Sequence, residues 1–170
     1  MGERPEARPP LVGTLAPDSG PRRPTLEDPV AESDPFADLA AGGPPVSGFG
    51  ETLGLAYEEV GPDEVVLRLP VAPHLHQPYG IVHGGVWCSL VETAASIGAA
   101  LWLGDRGQVV GVSNHTDFLR AIRDGEVTAR ATPVHRGRTQ QLWLVEVRDE
   151  ADKLVARGQV RLQNMAEAVR

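Results

Sequence analysis

Val86-Trp87-Cys88-Ser89-Leu90-Val91-Glu92-Thr93-Ala94-Ala95-Ser96-Ile97-Gly98-Ala99-Ala100-Leu101-Trp102-Leu103 is the stretch on which the fold turns. Its length, its alanines and its lack of strand alternation predict a helix. Nearly every side chain is apolar, and a helix apolar almost all round is expected to be buried. Four polar residues interrupt it, Ser89, Glu92, Thr93 and Ser96, spaced i, i+3, i+4 and i+7, so they share one stripe. Something polar must face that stripe. The run is marginal in length for a bilayer span and carries a carboxylate near its middle, which predicts a core helix and no membrane partner.

On the N-terminal side stands His83-Gly84-Gly85. The first N–H groups of a helix have no internal partner and carry the positive end of its dipole. Two glycines leave room for a ligand atom to reach them. A carbonyl oxygen docked at Gly84 is polarised there, and one such donor is typically worth ~10²–10³ in rate. The Gln77 amide is placed to share that oxygen, and Glu92, about two helical turns on, supplies a carboxylate to attack or to activate water. Ser96, one turn further, is a candidate to orient it. Each has a plainer reading. Gly84-Gly85 makes a tight turn, a helix serine commonly bonds back to the preceding turn, and a lone buried Glu commonly pairs across a subunit interface.

Around the helix the pattern is that of strands. Residues 53–57 and 64–71 read as a pair joined at Gly61-Pro62-Asp63, with a loop at 74–80 before the helix. After it come 108–119, 125–134, 140–148 and 153–162, separated by turn residues. Val127, Ala129 and Ala131 share a face, as do Trp143, Val145 and Val147. Two strands, one helix and four strands make an α+β layer pair, the helix lying across an antiparallel sheet. Sheet edges and a helix too apolar for one sheet to cover predict a dimer or larger.

Composition sets the bounds. The chain has 170 residues, enough for one ordinary domain. Residues 1–45 hold ten of the fifteen prolines and few large apolar side chains, so a disordered tail is expected there, a folded domain over 46–164 and a short C-terminal tail over 165–170. A net charge of −7 argues against nucleic acid as a partner. The single cysteine, Cys88, and the lack of a signal-peptide core at the N-terminus predict a cytoplasmic protein.

Gln77-Pro78-Tyr79-Gly80-Ile81-Val82-His83-Gly84-Gly85, followed by Glu92 and Ser96, resembles the active-site segment of hotdog-fold acyl-CoA thioesterases of the phenylacetic-acid and 4-hydroxybenzoyl-CoA type. Val110-Gly111-Val112-Ser113-Asn114-His115, Phe118-Leu119-Arg120, His135-Arg136-Gly137-Arg138, Trp143 and Val155-Ala156-Arg157-Gly158 extend the likeness over about 54–163, nearest the branch with 1,4-dihydroxy-2-naphthoyl-CoA thioesterase. The resemblance implies a hotdog fold, a long central helix on a curved antiparallel sheet of five to six strands. It implies that Gln77 and the Gly84 N–H hold the thioester carbonyl. Glu92, contributed by the partner subunit, is then nucleophile or general base, Ser96 assists it, and His83 shapes the site. Gly85, Ser113, Phe118, Leu119, Arg120, His135, Arg136, Gly137 and Arg138 line the acyl-CoA groove, with Arg120, Arg136 and Arg138 candidates for its phosphates. It implies a homodimer or homotetramer and no cofactor. The naphthoyl-CoA branch carries His where this chain has Phe118, which favours a more apolar acyl pocket.

Other readings carry less. Cys88 with His83 lacks an orienting acid, and such a cysteine is more often a small buried apolar residue. His74, His76 and His83 have a spacing too generic for a metal site. A hotdog hydratase calls for an Asp with a His five residues on near the helix start, which is missing. A non-catalytic acyl-CoA sensor or carrier on the same fold is the alternative, and Glu92 separates the two, since a binder has no need of a carboxylate beside a thioester.

Overall fold

The computed structural model describes residues 48–165, so the expected tail at 1–45 and residues 166–170 lie outside the described residues. A short helix α1 (Phe49–Leu53) leads into β1 (Ala56–Val60) and β2 (Val65–Pro70), followed by a 3-10 turn at Pro73–Leu75 and the long helix α2 (Gly84–Leu103). A second 3-10 turn, Gly104–Arg106, leads to β3 (Gln108–Phe118), β4 (Glu126–Arg136), β5 (Gln140–Asp149) and β6 (Leu154–Met165). All six strands form one antiparallel sheet in the order β1-β2-β4-β5-β6-β3. Between β2 and β3, α2 crosses the sheet and delivers β3 to the far edge.

The expected strand at 53–57 starts later. Leu53 instead closes α1, and Gly54, at φ 79°, ends it in the left-handed region that favours glycine, its N–H reaching Glu51 O and Gly50 O. Elsewhere alternation held: Val127, Ala129 and Ala131 on β4 and Trp143, Val145 and Val147 on β5 are buried under the helix. On β6 the alternation breaks at Val155, which is buried beside Ala156. There Val147 pairs with Ala156 and Arg148 with Leu154, so Val155 is the extra residue of a bulge and turns inward.

By length and composition α2 could cross a membrane, yet it packs against β2, β3, β4, β5 and β6 as the core helix of the sheet. Its fit is set by small residues. A Cβ at Gly98 would lie 2.6 Å from the Trp143 indole, so the helix approaches β5 only because Gly98 has none. Burial is not complete all round, contrary to expectation: Cys88, Ser89, Glu92, Thr93 and Ser96 are half-buried. Of these, Cys88 and Glu92 meet Asn114 of β3, where the sheet ends, and Ser89 borders the cavity beside α1.

Candidate functional site

The start of α2 is built by its approach loop. His76 bridges to Val82, the His83 N–H donates to Leu75 O at 2.9 Å, and the Val82 N–H donates to Ile122 O at 2.9 Å. His83, with extended backbone, is the N-cap. Its Nδ1 accepts the Gly85 N–H at 2.9 Å, and its carbonyl accepts the Val86 N–H at 2.9 Å. The Gly84 N–H, by contrast, has no acceptor among the described residues. Gly85, expected to take part in binding, has its amide engaged. The Phe118 ring lies against Gly84, where a Cβ would come 2.5 Å from Cε2. Gln77 is half-buried in the turn before the helix, its backbone closing onto Gly80 and Ile81, and its side-chain amide has no partner among the described residues.

Glu92 is positioned by the edge strand. Its Oε2 accepts the Asn114 amide at 2.9 Å, and the same Asn114 nitrogen donates to Cys88 O at 3.0 Å. Thr116 Oγ1 donates to Asn114 Oδ1 at 2.6 Å, which orients the amide with its nitrogen toward the carboxylate. The other oxygen, Oε1, lies over Gly111 where a side chain would stand. Asn114, Thr116 and Gly111 were missed as site residues by sequence reasoning. An Asn in a strand of β-branched neighbours was the available signal, since Asn is depleted there. The register shift between Gly111 and Ser113, which lets Gly111 and Asn114 both face the helix, leaves no trace in alternation.

The polar stripe divides. Ser89 Oγ donates to Gly85 O at 2.8 Å and Thr93 Oγ1 to Ser89 O at 2.8 Å, both bonding back to the preceding turn. Ser96 makes no such bond among the described residues and keeps a free hydroxyl one turn from Glu92.

The remaining candidates separate into groups. Phe118, Leu119 and Arg120 are exposed at the Gly84 end, where the Leu119 and Arg120 amides both reach Val155 O. Ser113 and His115 project by alternation from the face opposite Asn114, and His115 lies 3.7 Å from Asp117 there. His135, Arg136, Gly137 and Arg138 sit at the other end of the sheet. Arg136 pairs with Gln141, which pairs with Leu162, whereas Phe118 pairs with Ala156. Six residues of β6 therefore part Arg120 from Arg136 and Arg138, about 20 Å. Within one chain these arginines do not converge. Nor do Gly84 and Glu92, eight residues and about 12 Å apart along the helix.

A cavity of about 410 Å³ opens between α1 and the start of α2, walled by Phe49, Leu53, Leu75, His83, Val86 and Ser89. His74 and His76 also border it. Among the described residues no group of three or more His, Cys, Asp or Glu side chains converges to hold a metal.

Residues 79–156 match the family model described as the thioesterase superfamily. The chain is 53% identical to AziG of S. sahachiroi, whose crystal structure superposes with a TM-score of 0.70 over 71% of this chain and 98% of that one. Thioesterase HI1161 of Haemophilus influenzae superposes with a TM-score of 0.70 at 32% identity, over 79% of this chain and 93% of that one. A 1,4-dihydroxy-2-naphthoyl-CoA hydrolase of Listeria monocytogenes is 38% identical over 108 residues, 64% of this chain and 88% of the hydrolase.

Proposed function

The chain belongs to the hotdog-fold thioesterase superfamily, a family of thioester hydrolases, and from that premise we propose that it cleaves an aryl or medium-chain acyl-CoA to the free acid and CoA. The observation that carries the reading is the Gly84 N–H, left without an acceptor among the described residues at the start of α2 while the amides of the next two residues, Gly85 and Val86, are engaged by His83. A thioester carbonyl oxygen accepts this N–H, with the Gln77 amide as second donor. The helix dipole and the two donors stabilise the negative charge that collects on that oxygen when the carbonyl carbon is attacked. The acyl group enters the apolar cavity between α1 and α2, whose size suits an aromatic ring or a medium chain.

The attacking group is Glu92, directly as nucleophile or as the base that takes a proton from water. Asn114 holds its carboxylate in place, and the Ser96 hydroxyl orients the water. Collapse of the tetrahedral intermediate breaks the carbon–sulfur bond and CoA leaves as thiolate; attack by water yields the acid directly, whereas attack by Glu92 leaves a mixed anhydride that water then hydrolyses to the acid and the free carboxylate. A chain's own Glu92 stands about 12 Å from its Gly84, so the carboxylate at each carbonyl comes from Glu92 of the partner subunit. The protein therefore works as a homodimer, or as a homotetramer of two such pairs. It requires no cofactor, binds neither nucleic acid nor membrane, and acts in the cytoplasm.

Purified protein incubated with benzoyl-CoA, a naphthoyl-CoA and a medium-chain acyl-CoA, with a thiol reagent present, tests this. Free thiol is expected from at least one, and the Glu92→Ala variant is expected to lose about 10²–10⁴-fold in turnover while remaining folded. Full activity in that variant removes the mechanism. Tight binding of all three without thiol release identifies a non-catalytic acyl-CoA binder instead.

A further inference from the structure

The two walls of the cavity of about 410 Å³ are built differently. One is the start of α2 with its approach loop, fixed by the His83 N–H on Leu75 O, the Val82 N–H on Ile122 O and the Gly85 N–H on His83 Nδ1. The other is α1, which contributes Phe49, Thr52 and Leu53. Every hydrogen bond of this segment among the described residues stays inside 48–55. The Thr52 N–H and Oγ1 donate to Gly48 O, the Gly54 N–H donates to Glu51 O at 2.9 Å, and the Leu55 N–H donates to Gly50 O at 3.0 Å. None joins α1 to the sheet or to α2. It can therefore tilt as a unit without breaking a hydrogen bond, and the opposite wall cannot.

A helix of five residues is too short to sustain itself, so α1 depends on what its side chains bury. Of the five, Leu53 alone is buried, at 6% exposed. Gly50 passes over the Tyr57 hydroxyl, where a Cβ would stand 2.9 Å away, so this contact has no side chain to interlock. The segment is pinned at its C-terminal end and loose at the other. Gly48, at φ 101°, and Gly54, at φ 79°, flank it, and a Cβ at either would meet nothing within 4 Å. Both glycines answer to backbone rotation and not to crowding, which is what a pair of hinges requires. Phe49 stands four residues, about 6 Å, from the pinned Leu53, so a small rotation about Gly54 moves its ring furthest. That ring borders an apolar cavity and is nevertheless 62% exposed. An aromatic side chain so placed gains when apolar material takes it out of water.

We propose that α1 is a hinged wall of this cavity: an entering acyl group draws Phe49 down onto itself, and Phe49 selects acyl groups large enough to reach its ring. The inference rests on the reading of the chain as an acyl-CoA hydrolase and adds to it a specificity residue and a motion. The occupant is the apolar part of the acyl group and not the CoA moiety, since the movable wall carries no cation. A two-carbon acyl group is too short to fill the cavity and leaves the ring where it is.

Hydrogen exchange and calorimetry on the native protein with S-octyl-CoA and S-benzyl-CoA, thioethers without the scissile carbonyl, test this. Exchange of the Thr52, Gly54 and Leu55 amides is expected to be fast in the free protein and to slow by about tenfold with a bound thioether, while CoA alone leaves it unchanged. Exchange that is already slow in the free protein, that CoA alone slows as much, or that neither thioether slows, overturns the proposal. Phe49→Ala, a change at an exposed side chain, gives a second reading. It is expected to abolish the slowing. It is also expected to lower, by about tenfold, the ratio of kcat/KM for octanoyl-CoA or benzoyl-CoA to that for acetyl-CoA. An unchanged ratio overturns the assignment of Phe49. Slowed exchange in a protein that hydrolyses none of these thioesters defeats the proposed function and leaves the hinged wall in place. Hydrolysis of octanoyl-CoA or benzoyl-CoA with exchange in α1 indifferent to the thioethers leaves the proposed function and removes the wall.

Discussion

At Glu92 the carboxylate is held rather than buried: Asn114 donates to one oxygen, and Gly111 makes room for the other. A hydrogen bond to a charged group contributes about 1.5–3 kcal/mol, so if it acts chiefly in the transition state, Asn114→Ala is expected to lower kcat about 10–100-fold. Circular dichroism should stay unchanged, and a variant with native kcat would show that Asn114 is only a neighbour. Gly84 answers to two constraints, an unpartnered N–H and contact with Phe118. Gly84→Ala drives a methyl into the ring and is expected to cut both stability and turnover. Adding Phe118→Ala relieves the clash, so a double-mutant cycle in urea should return a coupling of about 0.5–3 kcal/mol. Additive losses would mean that the ring does not constrain position 84.

In α2 one close contact with the sheet depends on the absence of a side chain. Gly98 costs helix propensity, yet Trp143 occupies the place of its Cβ. Gly98→Ala is therefore expected to destabilise by about 1–3 kcal/mol through overpacking, against the ordinary preference for Ala in helices, read as a lower urea midpoint. A higher midpoint would show that Trp143 moves aside freely. The outer face of the sheet behaves differently. Arg68 donates to Glu58 at 2.6 Å from β2 to β1 and holds that carboxyl below its ordinary range. A lowered native-state pKa contributes stability that is present above the unfolded value and is lost as pH falls through the native one. Native protein is thus expected to lose more stability on acidification than Arg68→Ala, and parallel pH curves for the two would refute the coupling.

For the molecule as a whole, the long strand β3 is the open element. It ends the sheet, its outer edge has no strand beside it among the described residues, and Val110 and Val112 stand 46% and 47% exposed. An exposed apolar edge of this length invites pairing, and the proposed mechanism calls for pairing with a second copy, whose Glu92 would supply the carboxylate that one chain cannot bring to its own Gly84. A charge placed there by Val112→Lys is expected to shift the sedimentation coefficient toward the monomer and to lower activity in proportion. A monomer of full specific activity would refute the shared site.

The amino-acid sequence by itself determined the local features. Apolar density and alanines dictated α2, alternation dictated the inward faces of β4 and β5, and Gly84 at a helix start dictated a donor amide, because each follows from neighbours within a few residues. Only the tertiary structure decided which strand borders which. It placed β3 at the sheet edge, where Glu92 stays partly open and meets Asn114, and it parted Arg120 from Arg136 and Arg138. It also distinguished the free hydroxyl of Ser96 from the back-bonded Ser89 and Thr93. Those outcomes depend on strand order and on single-residue bulges, and a periodic pattern of side chains carries no information about either.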